Sequence, residues 1–294
     1  MIHSKSSRRL VQNTKAVSPA VSMVILTGTI VALLSVTAVY VNNILWLRAA
    51  ESDFNSAKQF MQTMGLQIDD VAWTIGRKAT VRYSSAYGSI DFLPSALNYT
   101  IYAKIQGSSN YQLITSCRVG VLLFNMPVSK YSLYDSYYEL VYPASARTLT
   151  FAGVSAPIAR VFAVEKLTPQ MNDGNFVRIV VVPSVRSLFS NMTTASGATL
   201  YTKLYLGALV QGTVNGSYQS VTFTGNSVAA TTKNRVTSVK VTVGFPAETS
   251  QQGFDASFFH FSNLEQMIDV PPGYSDSQLE FYIGEVKVDL GVHS

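Results

Sequence analysis

The chain has 294 residues, 13% of them charged, with a formal net charge of +5 and one cysteine. The lone Cys117 excludes an intrachain disulfide, so the fold must rest on a packed core, for which the chain is long enough. The basic balance does not point to nucleic acid: four of the 22 Lys and Arg residues stand before position 17, and the other 18 face 17 Asp and Glu.

Residues 1–16 form a basic leader in which Lys5, Arg8, Arg9 and Lys15 have no acidic neighbour. Val17 to Leu47 then run 31 positions without a charge. At about 1.5 Å per residue the run makes roughly 46 Å of helix, more than a bilayer's hydrocarbon core of roughly 30 Å. The positive-inside bias keeps the leader cytoplasmic and sends everything after Arg48 across the membrane. The expectation is a single-pass membrane protein with a cytoplasmic N-terminus and an extracellular C-terminal domain. Ser18-Pro19 supplies the helix start, Ser as N-cap and Pro at the first helical position.

Past the apolar run, Leu47, Ala50, Phe54, Ala57, Met61, Met64, Ile68, Val71 and Ile75 recur at spacings of three and four. Glu51, Asp53, Lys58, Gln59, Gln62, Gln67, Asp69 and Asp70 fill the other face. One helix over 17–78 is therefore expected, half transmembrane and half amphipathic, ending near Gly76-Arg77. Its packing stripe (Phe54, Met61, Met64, Ile68, Val71, Ile75) docks on the chain's own domain or on neighbouring copies, and the sequence leaves both open. Gly28 and Gly65, each costing about 1 kcal/mol relative to Ala, are candidate flex points.

From Ala79 the period changes to two. Leu97, Tyr99, Ile101, Ala103 and Ile105 alternate with polar residues as a half-buried strand. Ile158–Lys166 and Phe176–Val182 read as strands joined around Asn172-Asp173-Gly174. Leu200–Val210 and Ser220–Phe223 flank Asn215-Gly216, a hairpin signal. Val236–Phe245 and Leu279–Leu290 continue the pattern, and Phe254–Ile268 suggests a short helix. The fold class is α+β: a long N-terminal helix, then an antiparallel, sandwich-like β domain over 79–294. A division of that domain near 168–175 is left open.

Signs of catalysis are sparse. His3, His260 and His293 are scattered, and no metal-ligand spacing occurs, so neither metal nor cofactor is expected. No nucleophile elbow and no phosphate-cradling glycine loop appears. Asp69 and Asp70 are neighbours on a helix and point about 100° apart, which suits a solvated face. Cys117, among Leu113, Ile114 and Val119, reads as a buried, inert thiol. The expectation is no enzyme and no nucleic-acid partner.

Sequons at Asn98, Asn191 and Asn215 are candidate glycosylation sites on the outer side. Tyr131, Tyr134, Tyr137, Tyr138 and Tyr142 crowd one segment, and Phe258, Phe259 and Phe261 flank His260. Such tyrosines either complete a β core or form a recognition or interface surface.

The leader, with Lys15-Ala16 followed by Val17-Ser18-Pro19 and the apolar stretch, resembles the class III signal of archaeal type IV pilins and archaellins. The resemblance covers about fifty residues. It implies cleavage between Ala16 and Val17 by a prepilin peptidase, and identical or related pilin subunits as partners. Many bacterial pilins carry a Glu four residues after the cut, where this chain has Val21, a departure that favours the archaeal branch. The segment from Asp69-Asp70-Val71-Ala72-Trp73 to Asn98-Tyr99-Thr100 looks like uncharacterised archaeal membrane-anchored proteins of the same layout. The implied function is a pilin-like surface subunit whose β domain serves filament assembly or adhesion. The alternative is a single-pass membrane-anchored surface-binding protein that does not polymerise. Cleavage by an ordinary signal peptidase near Val36-Thr37-Ala38 fits less well, because the apolar stretch continues past it.

Overall fold

The computed structural model describes residues 19–291 except 135, 144–146, 167–174, 195–196, 215–219, 272 and 275. The leader, the junction Lys15-Ala16-Val17 and the turns at Asn172-Asp173-Gly174 and Asn215-Gly216 lie outside the described residues. Helix α1 (Pro19–Ala72) is followed by β1 (Lys78–Arg82), β2 (Ser89–Ile105), β3 (Tyr111–Pro127), β4 (Tyr137–Tyr142) and β5 (Thr150–Ala152). Next come β6 (Ala159–Glu165), β7 (Phe176–Pro183), β8 (Val185–Thr194), β9 (Gly197–Val214), β10 (Ser220–Asn234) and β11 (Val236–Gly244). Two short helices, α2 (Ala247–Ser250) and α3 (Ala256–Phe259), precede β12 (Glu265–Asp269) and β13 (Asp276–Leu290).

The strands make two curled sheets, one ordered β1-β10-β13-β9-β8-β5 and the other β12-β11-β2-β3-β7-β6-β4. Among the described residues only β13 with β9 and β5 with β8 pair in parallel. The fold is α+β. The chain divides into two compact units, one ending at Ala49 and the other beginning at Ala50, so residues 50–72 of α1 belong with the strands. No boundary falls near residue 168: the flanking strands β6 and β7 pair from Ala159↔Pro183 to Glu165↔Val177.

Within the second unit the amphipathic stripe is the core. Phe54, Met61, Met64, Ile68 and Val71 are all 0% exposed. They pack on Leu122, Phe124, Val161, Ile179 and Val181 of the larger sheet and on Leu209, Val221, Phe223, Val286 and Val288 of the smaller. Each such side chain contributes about 1.5–3 kcal/mol of burial. The stripe thus docks on its own domain.

Its two ends depart from the expectation. Leu47 is exposed, and Ile75, assigned to the stripe by spacing, is 68% exposed because α1 stops at Ala72. Gly76 takes φ +80° and its N–H donates to Gly225 O at 2.8 Å, while Gly225 N–H donates to Arg77 O at 2.9 Å. The exit turn is therefore tied to β10, and residue 75 is turned away from the core.

Glycines set how closely α1 lies on the sheets. Gly207 and Gly284 are register partners on β9 and β13. A Cβ on Gly284 would meet Ala72 O at 2.3 Å, and one on Gly225 would meet Thr74 O at 2.3 Å. Gly65 faces Val161 Cγ2 at 3.1 Å from a hypothetical Cβ, within an unbroken helix. Close approach to β6 accounts for this glycine.

The opposite face of the larger sheet builds a second core in which Phe162, Val164, Val180 and Val182 meet Leu204, Leu206, Phe258, Phe259 and Phe281. Burial on both faces explains why β6 and β7, apart from Arg160, Glu165 and Arg178, are apolar without alternation.

The hairpin expected across Asn215-Gly216 does not form. β13 lies between β9 and β10, antiparallel to β10 and parallel to β9. Its Val286, Val288 and Leu290 complete the core under α1, while Leu279 and Phe281 fill the other. A local turn signal carries no information about a strand that arrives from the far end of the chain. The expected helix at Phe254–Ile268 shrinks to α3, capped by Asp255 accepting from Ser257 N (3.0 Å) and Phe258 N (3.1 Å), followed by β12.

Candidate functional site

The first unit offers one feature with functional content, the apolar half of α1. It is long and apolar enough to cross a membrane, and residues 21–49 are exposed on every side. The small residues Ser22, Gly28, Ala32, Ser35 and Ala38 are exposed with the rest. Thr29 and Ser35 donate their hydroxyls to Ile25 O and Val31 O at 2.8 Å. Their polarity is thereby satisfied within the helix, as an apolar solvent requires. Tyr40 and Trp46, 66% and 57% exposed, stand toward the end of the run, where amphipathic rings favour a membrane–water boundary.

In the second unit the tyrosine-rich segment is mostly committed to structure. Tyr131 packs on Phe54 with ring centroids 5.2 Å apart. Tyr137 donates to Glu139 at 2.8 Å, and burial together with that bond pushes its pKa up to about 12. Tyr138 stacks on Phe162 at 5.3 Å and meets the His260 ring at 4.3 Å. Tyr142 is half-buried, and Phe258 and Phe259 are fully buried. Tyr134 alone of the segment's tyrosines is exposed, at 84%, on a backbone with φ +78°. Of the four leading tyrosines, Tyr134 is exposed and Tyr131, Tyr137 and Tyr138 are half-buried. The buried carboxylate of Glu165 holds that loop by accepting from Ser132 Oγ at 2.7 Å and from Leu133 N.

Asp69 and Asp70 diverge as their helical spacing requires. Asp69 pairs with Arg186 at 3.0 Å and accepts from Trp73 Nε1 at 2.9 Å, whereas Asp70 pairs with Arg77 at 2.6 Å. Cys117 is half-buried, and burial pushes its pKa up to about 11, which keeps the thiol protonated and poorly nucleophilic. Among the described residues no group of three or more His, Cys, Asp and Glu could hold a metal ion. Of the sequons, Asn191 is exposed on β8. Asn98 is half-buried on a central strand and accepts from Ser116 Oγ at 2.8 Å, and Asn215 lies outside the described residues.

Sequence reasoning missed the buried charges. Arg160 is 0%, Arg178 1% and Glu165 1% exposed, inside strands otherwise apolar. The signal was present: an arginine within a continuous apolar strand has no solvent face to reach, so it must satisfy itself inside.

Compared with known protein families, curated proteins and solved structures, the chain finds no match in any of the three.

Proposed function

We propose that this chain is a type IV pilin-like surface subunit, anchored by the apolar half of α1 and displaying its β domain for filament assembly or adhesion. The observation that carries the reading is the uncharged run of 31 residues directly behind the leader that ends in Lys15-Ala16. A cationic leader pins such a helix in the bilayer, because each charge carried into lipid costs kilocalories. Once cut, the helix is apolar from its first side chain and can exchange lipid for a bundle of identical helices. The exposed surface of residues 21–49 is in keeping with burial in such a bundle or in lipid.

The second reading is a membrane-anchored surface protein that never polymerises. It is favoured by the stripe at Phe54, Met61, Met64, Ile68 and Val71, which is consumed by the chain's own domain and leaves nothing of it for a neighbour.

Filaments sheared from the native cells distinguish the two. The pilin reading expects the chain in the sheared fraction, and expects Gly28→Leu with Ser35→Leu to remove it while membrane insertion is unchanged. Wild-type chain found only in the membrane fraction contradicts filament assembly and leaves the anchored protein.

A further inference from the structure

One sheet edge lacks the devices that keep edges solitary. The outer row of N–H and C=O groups on an edge strand is a template for another strand unless charge, proline, shortness or a covering element blunts it. β12 has five residues and carries Glu265 and Asp269, and β5 has three. β1 has five and carries Lys78 and Arg82 at its ends. β4 carries Glu139, tied to Lys58 of α1. β10 differs. β1 covers it only over Ser220–Thr224, and the turn at Gly76-Arg77 takes Gly225. Past that turn β10 runs on to Asn234, paired with β13 on one side and, among the described residues, with no strand on the other. Residues 226–234 are exposed except for half-buried Thr231, and Lys233 is their only charge. Arg235, at φ +56°, ends the edge where the chain turns into β11.

The register identifies the outward backbone groups. Gly225 turns its N–H and C=O away from β13, to Arg77 and Gly76, and stands opposite Val286. Alternation along β13 makes Gly284, Tyr282 and Glu280 equivalent to Val286, and their partners are Val228, Ala230 and Thr232. Those three residues therefore aim their backbone groups outward.

A two-fold axis at Ala230 makes this edge its own complement. It sets Ser227 opposite Lys233, Val228 opposite Thr232, Ala229 opposite Thr231, and Ala230 opposite itself. The outward groups of both copies then exchange about six hydrogen bonds. Alanines meet at and beside the axis, one for each face of the sheet, so no bulky side chain holds the strands apart. Charge also fits. Ser227 is the register partner of Glu285 on β13, so the second copy's Lys233 lies across that serine from Glu285. Two strand spacings, about 9.6 Å, separate the two backbones, a gap that lysine and glutamate side chains close over a serine. An axis at Lys233 would oppose the two lysines, and one at Val228 would run the ladder into the occupied Gly225.

We propose that Ser227–Lys233 of β10 is an interaction edge on which a second copy of this chain adds its own β10, antiparallel and centred on Ala230. The contact joins two six-stranded sheets into one. It goes beyond the anchoring role and does not depend on packing of α1.

Cysteine cross-linking of the full-length protein in non-ionic detergent, in a Cys117→Ala background under copper-phenanthroline oxidation, tests the edge and its register. A disulfide needs Cα atoms within about 6.8 Å. Ala230→Cys places its two copies about 5.5 Å apart across the axis and should give a covalent dimer. Val228→Cys alone, with its copies roughly 13 Å apart, should give none. Val228→Cys mixed with Thr232→Cys should restore the dimer. Adding Ala230→Pro to that mixture removes an outward N–H while leaving the β13 pairing intact, and should abolish the cross-link. Circular dichroism confirms that each variant keeps its strands, and the cysteine variants alone decide if the proline variant fails to fold. Ala230→Cys cross-linking no more than Val228→Cys, or a mixed dimer that survives Ala230→Pro, overturns the pairing.

Discussion

The two halves of α1 are one helix built by two rules. Residues 21–41 carry no charge or amide on any side, and all of 21–49 are exposed. Residues 50–72 restrict theirs to a stripe, and that stripe is buried to the last atom at Phe54, Met61, Met64, Ile68 and Val71. Glycine separates the halves as sharply. Gly28 has nothing within 4 Å of a hypothetical Cβ, whereas Gly284 and Gly225, under the end of the helix, admit a backbone carbonyl where a side chain would stand. Hydrophobicity alone does not tell a core helix from a solvent-facing one. The angular width of the apolar face does, because a helix apolar all round has no polar side to offer water.

Substitutions made in pairs sharpen that contrast. Phe54→Ala should lower the stability of the detergent-extracted protein by about 3–5 kcal/mol, read by denaturant melts, while Leu34→Ala should leave the melt unchanged. Equal effects would mean that the exposed half also packs on protein in the extracted monomer. A charge reverses the roles: Leu34→Lys should penalise insertion by about 2.5–3.5 kcal/mol and move the chain from membrane to soluble or degraded fractions, with the domain itself intact. Gly284→Ala should cost about 1–3 kcal/mol, because neither Ala72 O nor the strand can yield freely. Gly28→Ala should instead change helix stability by no more than about 1 kcal/mol, in the favourable direction.

The smallest effect concerns a link between α1 and β4. Burial pushes the Glu139 carboxyl up, but hydrogen bonds from Lys58 and Tyr137 outweigh it and hold the group below the ordinary value of 4.5. A lowered folded pKa stabilises above the unfolded value and loses that contribution as the pH falls through the folded one. The melting-temperature gap between wild type and Glu139→Gln should thus be constant near neutrality and close as the pH falls below 4.5. A gap that persists in acid would assign Glu139 a role other than its charge.

Much of this architecture was legible in residue order. The stripe followed from spacing, and β2 from the alternation of Leu97, Tyr99, Ile101 and Ala103, because both depend on local periodicity. Ile75 was misplaced by the same rule, since what ends α1 at Ala72 is a bridge from Gly76 and Arg77 to Gly225, far along the chain. The insertion of β13 between β9 and β10 was illegible for the same reason. The tyrosine segment was read as a cluster, yet tertiary neighbours divide it: Phe54 takes Tyr131, Phe162 takes Tyr138, and Tyr134 alone stays in solvent. The buried Arg160 was visible as a letter in an apolar strand, but the carbonyl it donates to, Phe259 O, comes from α3, far along the chain.

The proposed pilin-like role depends most directly on processing of the leader. Intact-mass and N-terminal peptide analysis of the native, membrane-extracted protein decides it. The account predicts a chain that begins at Val17, with the leader through Ala16 removed. A mature chain that retains Met1 through Lys15 would contradict prepilin processing and leave a permanently anchored surface protein.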